Sequence, residues 1–124
     1  MAKVSVLVDT DIFIDYFNTG RFSSLFDHSR FIVYYSIVTK KELLTKRGLR
    51  DSEREAIEAE LCGCRLIPLT EAITKTYSDL RVHYPSLNKS DALIAAAALI
   101  KQLPLVTRNT RHFRVVKDIV LFGA

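Results

Sequence analysis

The chain has 124 residues, a length that predicts one domain spanning residues 1–124. Hydrophobic residues make up 48% and charged residues 26% of the sequence, a balance that argues against a disordered protein. The longest uncharged apolar run, residues 92–100, is far shorter than the roughly 20 residues of a membrane-spanning helix, and residues 1–11 lack a cleavable signal pattern. We therefore expect a soluble, cytoplasmic protein that does not enter a membrane.

The net charge of +4 conceals an uneven distribution along the chain. Residues 40–50 carry five basic side chains and one acid, whereas residues 51–60 carry five acids and one arginine. Residues 101–124 again carry five basic side chains and one acid. A mild overall excess identifies no partner by itself, so the position of each cluster has to be considered separately.

Short β-rich runs alternate with helical patterns in chain order. Apolar runs predict strands at Val4–Val8, Phe31–Tyr35, Cys64–Leu69 and Leu103–Thr107, followed by a last edge strand at Ile119–Phe122. Apolar spacing of three and four residues predicts helices after Asp9 through Tyr16, at Phe22–Phe26, from Ser36 to Gly48, from Asp51 onward, at Thr70–His83 and at Asp91–Lys101. This alternation implies parallel strands, so the predicted fold class is α/β, a three-layer α/β/α sandwich with a mostly parallel central sheet.

Helix boundaries are predicted from residues with known terminal preferences. Ser36 suits the N-cap of the helix that follows the second strand, and Gly48 suits its C-terminal end. Either Asn88 or Ser90 caps the later helix. The centre of that helix reads ALIAAAALI and is apolar on nearly all sides, so we expect it to be buried against the sheet.

Polar residues stand where several of these apolar patterns end. Asp9 follows the first strand, Glu42 lies in the helix after the second, and Asp91 lies in the first turn of the Ala-rich helix. Thr107 and Asn109 follow the strand LPLV. Because ligands of open parallel sheets bind outside the carboxyl ends of the strands, these residues are expected to meet at one edge of the sheet.

Carboxylates gathered in one cleft repel one another, and each resists ionisation unless a cation joins them. Mg²⁺ and Mn²⁺ prefer oxygen ligands and retain waters or phosphate oxygens in their shell. Such an ion can activate water and stabilise charge on a phosphodiester. Helix-dipole stabilisation alone also accounts for an acid at Asp91, and an ordinary surface pair with a nearby lysine accounts for Glu42. Asp9 has the weakest structural explanation, because it ends an apolar strand.

Four segments in order resemble the PIN-domain nucleases, most closely the small VapC-type toxins of toxin–antitoxin pairs: VLVDTDIFIDYF, SIVTKKELL, SDALIAAAAL and LVTRNTRHF. The resemblance implies that Asp9, Glu42 and Asp91 coordinate Mg²⁺ or Mn²⁺ for cleavage of single-stranded RNA. It also implies a small antitoxin as partner, and a homodimer. The predicted function is therefore a metal-dependent endoribonuclease.

The sequence departs from the family pattern at the late acidic positions, which hold Asn109 and His112. We assign Asn109 to the catalytic set, although it adds no negative charge, which weighs against a second metal ion. Asp11 either restores the missing charge or caps the first helix, and we favour the cap. The residues assigned to support the site are Asp11, Ser36, Thr39 and Thr107.

Basic residues surround two of these segments and are expected to form a positive rim around the acidic centre. A rim of this kind would bind the phosphate backbone of RNA. The residues assigned to RNA binding are Lys40, Lys41, Arg108, Arg111 and Arg114.

Two other functions are compatible with parts of the pattern. The DTD sequence after an apolar strand matches the nucleophile motif of haloacid-dehalogenase-type phosphatases, in which Asp9 would be the nucleophile. Against this, no Gly follows Asp11 directly, and the chain is short for a capped phosphatase. A non-catalytic module that binds RNA or protein is the other alternative, since the late acid is missing.

Overall fold

The computed structural model describes residues 2–123. Its strands are β1 (Val4–Val8), β2 (Phe31–Ser36), β3 (Arg65–Ile67) and β4 (Leu105–Val106). Its α-helices are α1 (Thr10–Thr19), α2 (Ile37–Leu44), α3 (Asp51–Cys62), α4 (Glu71–His83), α5 (Lys89–Lys101) and α6 (Thr110–Arg114), and a 3₁₀ helix spans Ser23–Phe26. No helix within the described residues is long and apolar enough to cross a membrane.

The four strands form one parallel sheet in the order β3-β2-β1-β4. In the register, Leu7 of β1 lies opposite Tyr34 of β2 on one side and Leu105 of β4 on the other. The chain adds β2 and β3 on one side of β1 and then crosses to add β4 on the opposite side. The strand order therefore reverses at β1, which places the expected ligand crevice at the carboxyl ends of β1 and β4.

Two buried clusters cover the two faces of the sheet. Val6 and Val8 of β1 pack into one cluster with residues of α1 and α3, such as Phe13 and Ile57. Leu7, which points to the opposite face, packs into the other cluster with residues of α4, α5 and α6. Alternation along β1 therefore separates the two cores, and the predicted three-layer α/β/α architecture is confirmed.

The helix after β2 is shorter than predicted, and its C-terminal residue is not Gly48. It ends at Leu44, where Thr45 occupies the C-cap and donates both its backbone N–H (3.0 Å) and its hydroxyl (2.6 Å) to the Lys41 carbonyl. Gly48 has φ +79° and serves the turn before α3. A threonine side chain that satisfies a helix-end carbonyl has replaced the expected glycine cap.

The C-terminal region departs furthest from the prediction. Residues 119–122 form only a single parallel bridge, from Leu121 to Leu105, instead of an edge strand. Helix α6 was not predicted; it is short, and its fully buried Phe113 anchors it to the core. At the N-terminus of α5 the cap is Asn88 and not Ser90, since the Asn88 side chain accepts from the Asp91 N–H at 2.8 Å.

Candidate active site

A cleft of about 800 Å³ opens at the carboxyl edge of the sheet, where the strand order reverses. Its polar lining comes from segments that lie far apart in sequence: Asp9, Thr10, Asp11, Glu42, Asn88, Lys89, Ser90, Asp91, Arg108 and Asn109. The folded chain therefore brings the three predicted acids and Asn109 to one cleft. Thr107 joins them through its contact with Asp9.

Asp9 is held at the end of β1 by two hydrogen bonds. Its Oδ1 accepts from the Thr10 N–H at 2.8 Å, and its Oδ2 accepts from the Thr107 hydroxyl at 2.7 Å. The residue is 5% exposed. Burial, and next to it the negative charge of Asp11, raise the pKa of Asp9 to about 7. Ionised Asp9 is therefore costly unless a positive charge enters the cleft.

Asp11 faces the cleft, and the interpretation of this residue as the helix cap is wrong. Asp9 occupies the N-cap position of α1, and Asp11 lies in its first turn. Asp11 Oδ2 accepts from the Arg108 N–H at 3.2 Å, whereas Oδ1 is buried and has no hydrogen-bond partner among the described residues. Burial raises the pKa of this carboxyl as well. An orphaned acidic oxygen beside Asp9 indicates a place for a cation.

Glu42 is exposed on α2 and is tied to the segment that follows β1. Its Oε1 accepts a hydrogen bond from the Thr10 hydroxyl at 2.9 Å, and that hydroxyl lies 2.8 Å from the hydroxyl of Thr39. Thr39 is fully buried and does not line the cleft. The predicted supporting role of Thr39 therefore depends on its hydrogen bond to Thr10, which lines the cleft.

Asp91 lies in the first turn of α5, between two asparagines. Its Oδ2 accepts from the side-chain amides of Asn88 at 3.2 Å and Asn109 at 3.4 Å. Burial raises the pKa of Asp91; the nearby His112 opposes this shift, while Asp11 and Glu42 add to it. Asn109 thus contacts Asp91 in the cleft. Asn109 stands at a late position that holds an acid in the family pattern.

The remaining predicted residues lie outside the cleft or are already paired. Ser36 is buried and caps α2 by accepting from the Val38 N–H at 3.2 Å. The Arg108 guanidinium donates to both oxygens of Asp15 at 2.9 and 3.0 Å. Exposed side chains of the predicted rim that do not line the cleft are Lys40, Lys41, Arg111 and Arg114.

Sequence reasoning missed four polar residues of the cleft: Thr10, Asn88, Lys89 and Ser90. Thr10 directly follows Asp9, but nothing in the sequence indicates that its hydroxyl reaches Glu42, 32 positions away. Asn88, like Ser90, was identified only as a candidate cap. Lys89 could have been found from its position beside that cap, two residues before Asp91.

Comparison with known proteins identifies the family that shares this arrangement. A family model described as "PIN domain" matches residues 6–118. The chain belongs to the PIN-domain family. Among curated members, Ribonuclease VapC1 of Methanocaldococcus jannaschii is 32% identical over 123 aligned residues, which cover 94% of this chain and 84% of that protein. Ribonuclease VapC19 of Mycobacterium tuberculosis is 30% identical, with 91% and 95% of the two chains covered.

Solved PIN-domain structures share the fold over nearly the whole chain. A toxin–antitoxin complex from Klebsiella pneumoniae contains a chain that is 28% identical, with a TM-score of 0.77 and coverage of 93% of this chain and 95% of that one. A DNA-bound VapBC from Salmonella typhimurium is 18% identical, with a TM-score of 0.83 and coverage of 95% and 96%. These matches confirm the resemblance found in the four motifs and go against the haloacid-dehalogenase alternative.

The PIN-domain cleft suits a hard divalent cation. Its acidic and amide donors are oxygens, three of its carboxyls have raised pKa values, and one buried oxygen of Asp11 has no partner in the described residues. Within residues 2–123, no three His, Cys, Asp or Glu side chains stand close enough to form a complete ligand set. Mg²⁺ commonly takes one or two carboxylates and keeps several waters, so a full protein cage is not required.

Proposed function

We propose that this protein is a divalent-metal-dependent endoribonuclease that hydrolyses phosphodiester bonds of RNA and acts as the toxin of a toxin–antitoxin pair. The observation that carries the proposal is the convergence of Asp9, Asp11, Glu42 and Asp91 on one cleft at the strand-order reversal of a PIN-domain fold. The curated relatives named above are ribonucleases. PIN-domain nucleases of this kind generally depend on a divalent metal ion.

Asp9, Glu42 and Asp91 would hold Mg²⁺ or Mn²⁺ partly through the waters that the ion retains, with Asp11 as a further acid beside Asp9. When bound, such an ion polarises a phosphate oxygen and lowers the pKa of a coordinated water. Thr107 fixes one oxygen of Asp9, and Asn88 and Asn109 fix one oxygen of Asp91. These contacts restrict the rotation of two carboxylates that repel each other across the cleft.

Two cationic residues line the acidic cleft and would contact the RNA backbone. Arg108 lies on the loop after β4, and Lys89 begins α5 beside Asp91. An RNA strand that crosses the cleft would place one phosphate against these side chains. Its neighbouring phosphates would reach the outer rim, which consists of Lys40, Lys41, Arg111 and Arg114. Binding of single-stranded RNA by such a rim depends strongly on salt.

The antitoxin would bind across the cleft and an apolar groove beside it. This groove of about 280 Å³ shares Ile14 and Glu42 with the cleft, and its apolar lining includes Phe17, Leu43 and Ile57. A small protein with an apolar helix for the groove and a basic side chain for the acids would fit both. The homodimer expected from the resemblance is also part of this proposal.

An RNA-cleavage assay with matched variants tests the proposed activity. We expect cleavage of single-stranded RNA with Mg²⁺ or Mn²⁺ and none with EDTA. Asp91→Asn should lower the rate roughly 100-fold or more, the scale of losing one preorganised electrostatic group. Asp79→Asn is the control, since it makes the same chemical change on an exposed residue of α4.

Calorimetry separates the enzyme from the non-catalytic module. Under the conditions of the cleavage assay, wild-type protein should release or absorb heat on titration with Mn²⁺, and Asp91→Asn should bind the ion more weakly. RNA binding without Mn²⁺ binding and without cleavage would favour the module and contradict the proposed function.

A further inference from the structure

The hydroxyls of Thr39 and Thr10 and the carboxylate of Glu42 form a connected chain of hydrogen bonds with a fixed direction. The Thr10 hydroxyl has one hydrogen, and it donates this hydrogen to Glu42 Oε1 at 2.9 Å. In its 2.8 Å contact with Thr39, Thr10 must therefore accept. The hydrogen bonds run from Thr39 to Thr10 to Glu42, and the bond that Thr10 accepts polarises its hydroxyl and strengthens its donation to Glu42 Oε1.

The donors of this chain are fixed, whereas the acid that it holds is not. Thr39 is fully buried in α2, and Thr10 is 8% exposed at the start of α1. Glu42 is exposed on α2 and is shared by the cleft and the apolar groove. Without a partner, its long side chain would be free to turn toward either space or toward solvent. The Thr10 bond selects the orientation in which Glu42 stays with the cleft.

Thr10 also connects two of the acids directly. Its backbone N–H donates to Asp9 Oδ1 at 2.8 Å, while its side chain donates to Glu42 Oε1. One residue therefore sets the position of an acid that follows β1 relative to an acid that arrives on α2. The bond to Glu42 engages Oε1 and not Oε2, whereas both oxygens of Asp9 accept a hydrogen bond, one from Thr10 and one from Thr107.

We propose that Thr10 is a positioning residue that presents Glu42 to the divalent cation of the cleft, with Thr39 orienting the Thr10 hydroxyl. This inference rests on the proposed function, because it assumes that the cleft binds the ion. Outer partners of a ligating carboxylate typically affect metal affinity by 10–100-fold. The hydroxyl of Thr10 therefore contributes to metal affinity rather than only to helix formation.

Mn²⁺ binding without RNA, measured by calorimetry, tests this role separately from activity. Thr10→Val has the same shape without the hydroxyl, and we expect it to weaken Mn²⁺ binding by about 10-fold. Thr10→Ser restores the hydroxyl and should restore most of the affinity. Thr39→Val should shift the affinity in the same direction by a smaller factor. Thr74→Val is the control, since its hydroxyl donates to the carbonyl of Thr70 at the N-cap of α4 and it does not line the cleft.

A double-mutant cycle with Glu42→Gln isolates the contact. If Thr10 acts through Glu42, Thr10→Val will cause little further loss of Mn²⁺ affinity in the Glu42→Gln background. Equal losses in both backgrounds, or wild-type affinity in Thr10→Val, would overturn the inference while leaving the nuclease proposal standing. A wild-type protein that neither binds Mn²⁺ nor cuts RNA would instead overturn the proposed function.

Discussion

The protein has two acidic regions that differ in almost every physical respect except charge. The acids of α3 lie on the surface, and several face a cation at close range: Glu53 pairs with Arg50 at 2.9 Å and Glu58 with Arg54 at 3.9 Å. Of the cleft acids, Asp9 and Asp91 are buried and Asp11 is half-buried, whereas Glu42 is exposed at the edge of the cleft. The hydrogen bond from Arg50 lowers the pKa of Glu53, whereas burial raises the pKa of Asp9 and Asp91.

The comparison shows why charge density along the sequence is a poor guide to a metal site. Residues 51–60 hold five acids, yet these are exposed or half-buried, and arginines pair with two of them. The cleft collects its acids from separate segments, and none of them forms an ion pair with a cation of the described residues. Buried acids without a paired cation are therefore a better indication of a cation site than a local excess of acids. Substitutions at these acids test that interpretation.

Asp9→Asn should produce the largest change, in how stability depends on pH. The pKa of Asp9 rises from 3.8 in its reference state to about 7 in the folded protein, so the folded state holds a proton that the unfolded state loses. Stability from this group is complete below pH 4 and is lost as the pH rises to about 7. The loss is up to about 4 kcal/mol at 1.36 kcal/mol per pKa unit.

Urea unfolding of metal-free protein at several pH values measures this effect. Asp9→Asn should leave stability nearly unchanged at pH 4 and raise it above wild type at pH 8, because asparagine resembles the protonated acid. Glu55→Gln, an exposed change on α3, should follow the wild-type curve. An Asp9→Asn curve parallel to wild type would mean that the carboxyl is not destabilised in the fold.

Addition of a divalent cation should stabilise the folded protein through the acids of the cleft and not through those of α3. The expected change in the free energy of unfolding is somewhat smaller than that caused by Asp9→Asn. Mn²⁺ at 100 times its dissociation constant should stabilise wild-type protein by about 2.7 kcal/mol, since it binds the folded state. Glu55→Gln should gain as much, whereas Asp9→Asn should gain little. Thermal unfolding at pH 7.5 with and without the ion provides the measurement; equal gains in both variants would place the ion outside the cleft.

The fold could be predicted from sequence wherever one local pattern dominates. The strand Val4–Val8 and the helices at Asp51 and Thr70 follow from apolar spacing and capping residues, and the structure agrees with them. The errors occur where tertiary contacts decide. Buried Phe113 anchors a short helix that has no clear periodic signal, and residues 119–122 meet β4 at only one bridge.

The positions of the site acids could be inferred from strand ends, but their partners could not. Topology brings Asp9, Glu42 and Asp91 to one edge, and a parallel sheet makes that edge predictable. Side-chain contacts across 32 and 98 positions, from Thr10 to Glu42 and from Thr107 to Asp9, depend on packing that no local pattern records. The same limit applies to Arg108. The sequence predicts a cation that is free to bind RNA, whereas in the structure it forms an ion pair with Asp15.

The smallest expected effect concerns two arginines, one beside each acidic region, that lose an acidic partner on substitution. Asp15→Asn removes the partner of Arg108 at the cleft, and Glu58→Gln removes a partner of Arg54 on α3. Each variant removes one negative charge, and an exposed pair of this kind is worth roughly 0–1 kcal/mol. If Arg108 contacts RNA, Asp15→Asn should lower the KM for RNA by a few-fold and steepen its salt dependence, because a phosphate no longer competes with Asp15. Glu58→Gln should change neither, since Arg54 does not line the cleft. A higher KM in Asp15→Asn, or a KM unaffected by both Asp15→Asn and Arg108→Ala, would mean that Arg108 only fastens the loop after β4 to α1.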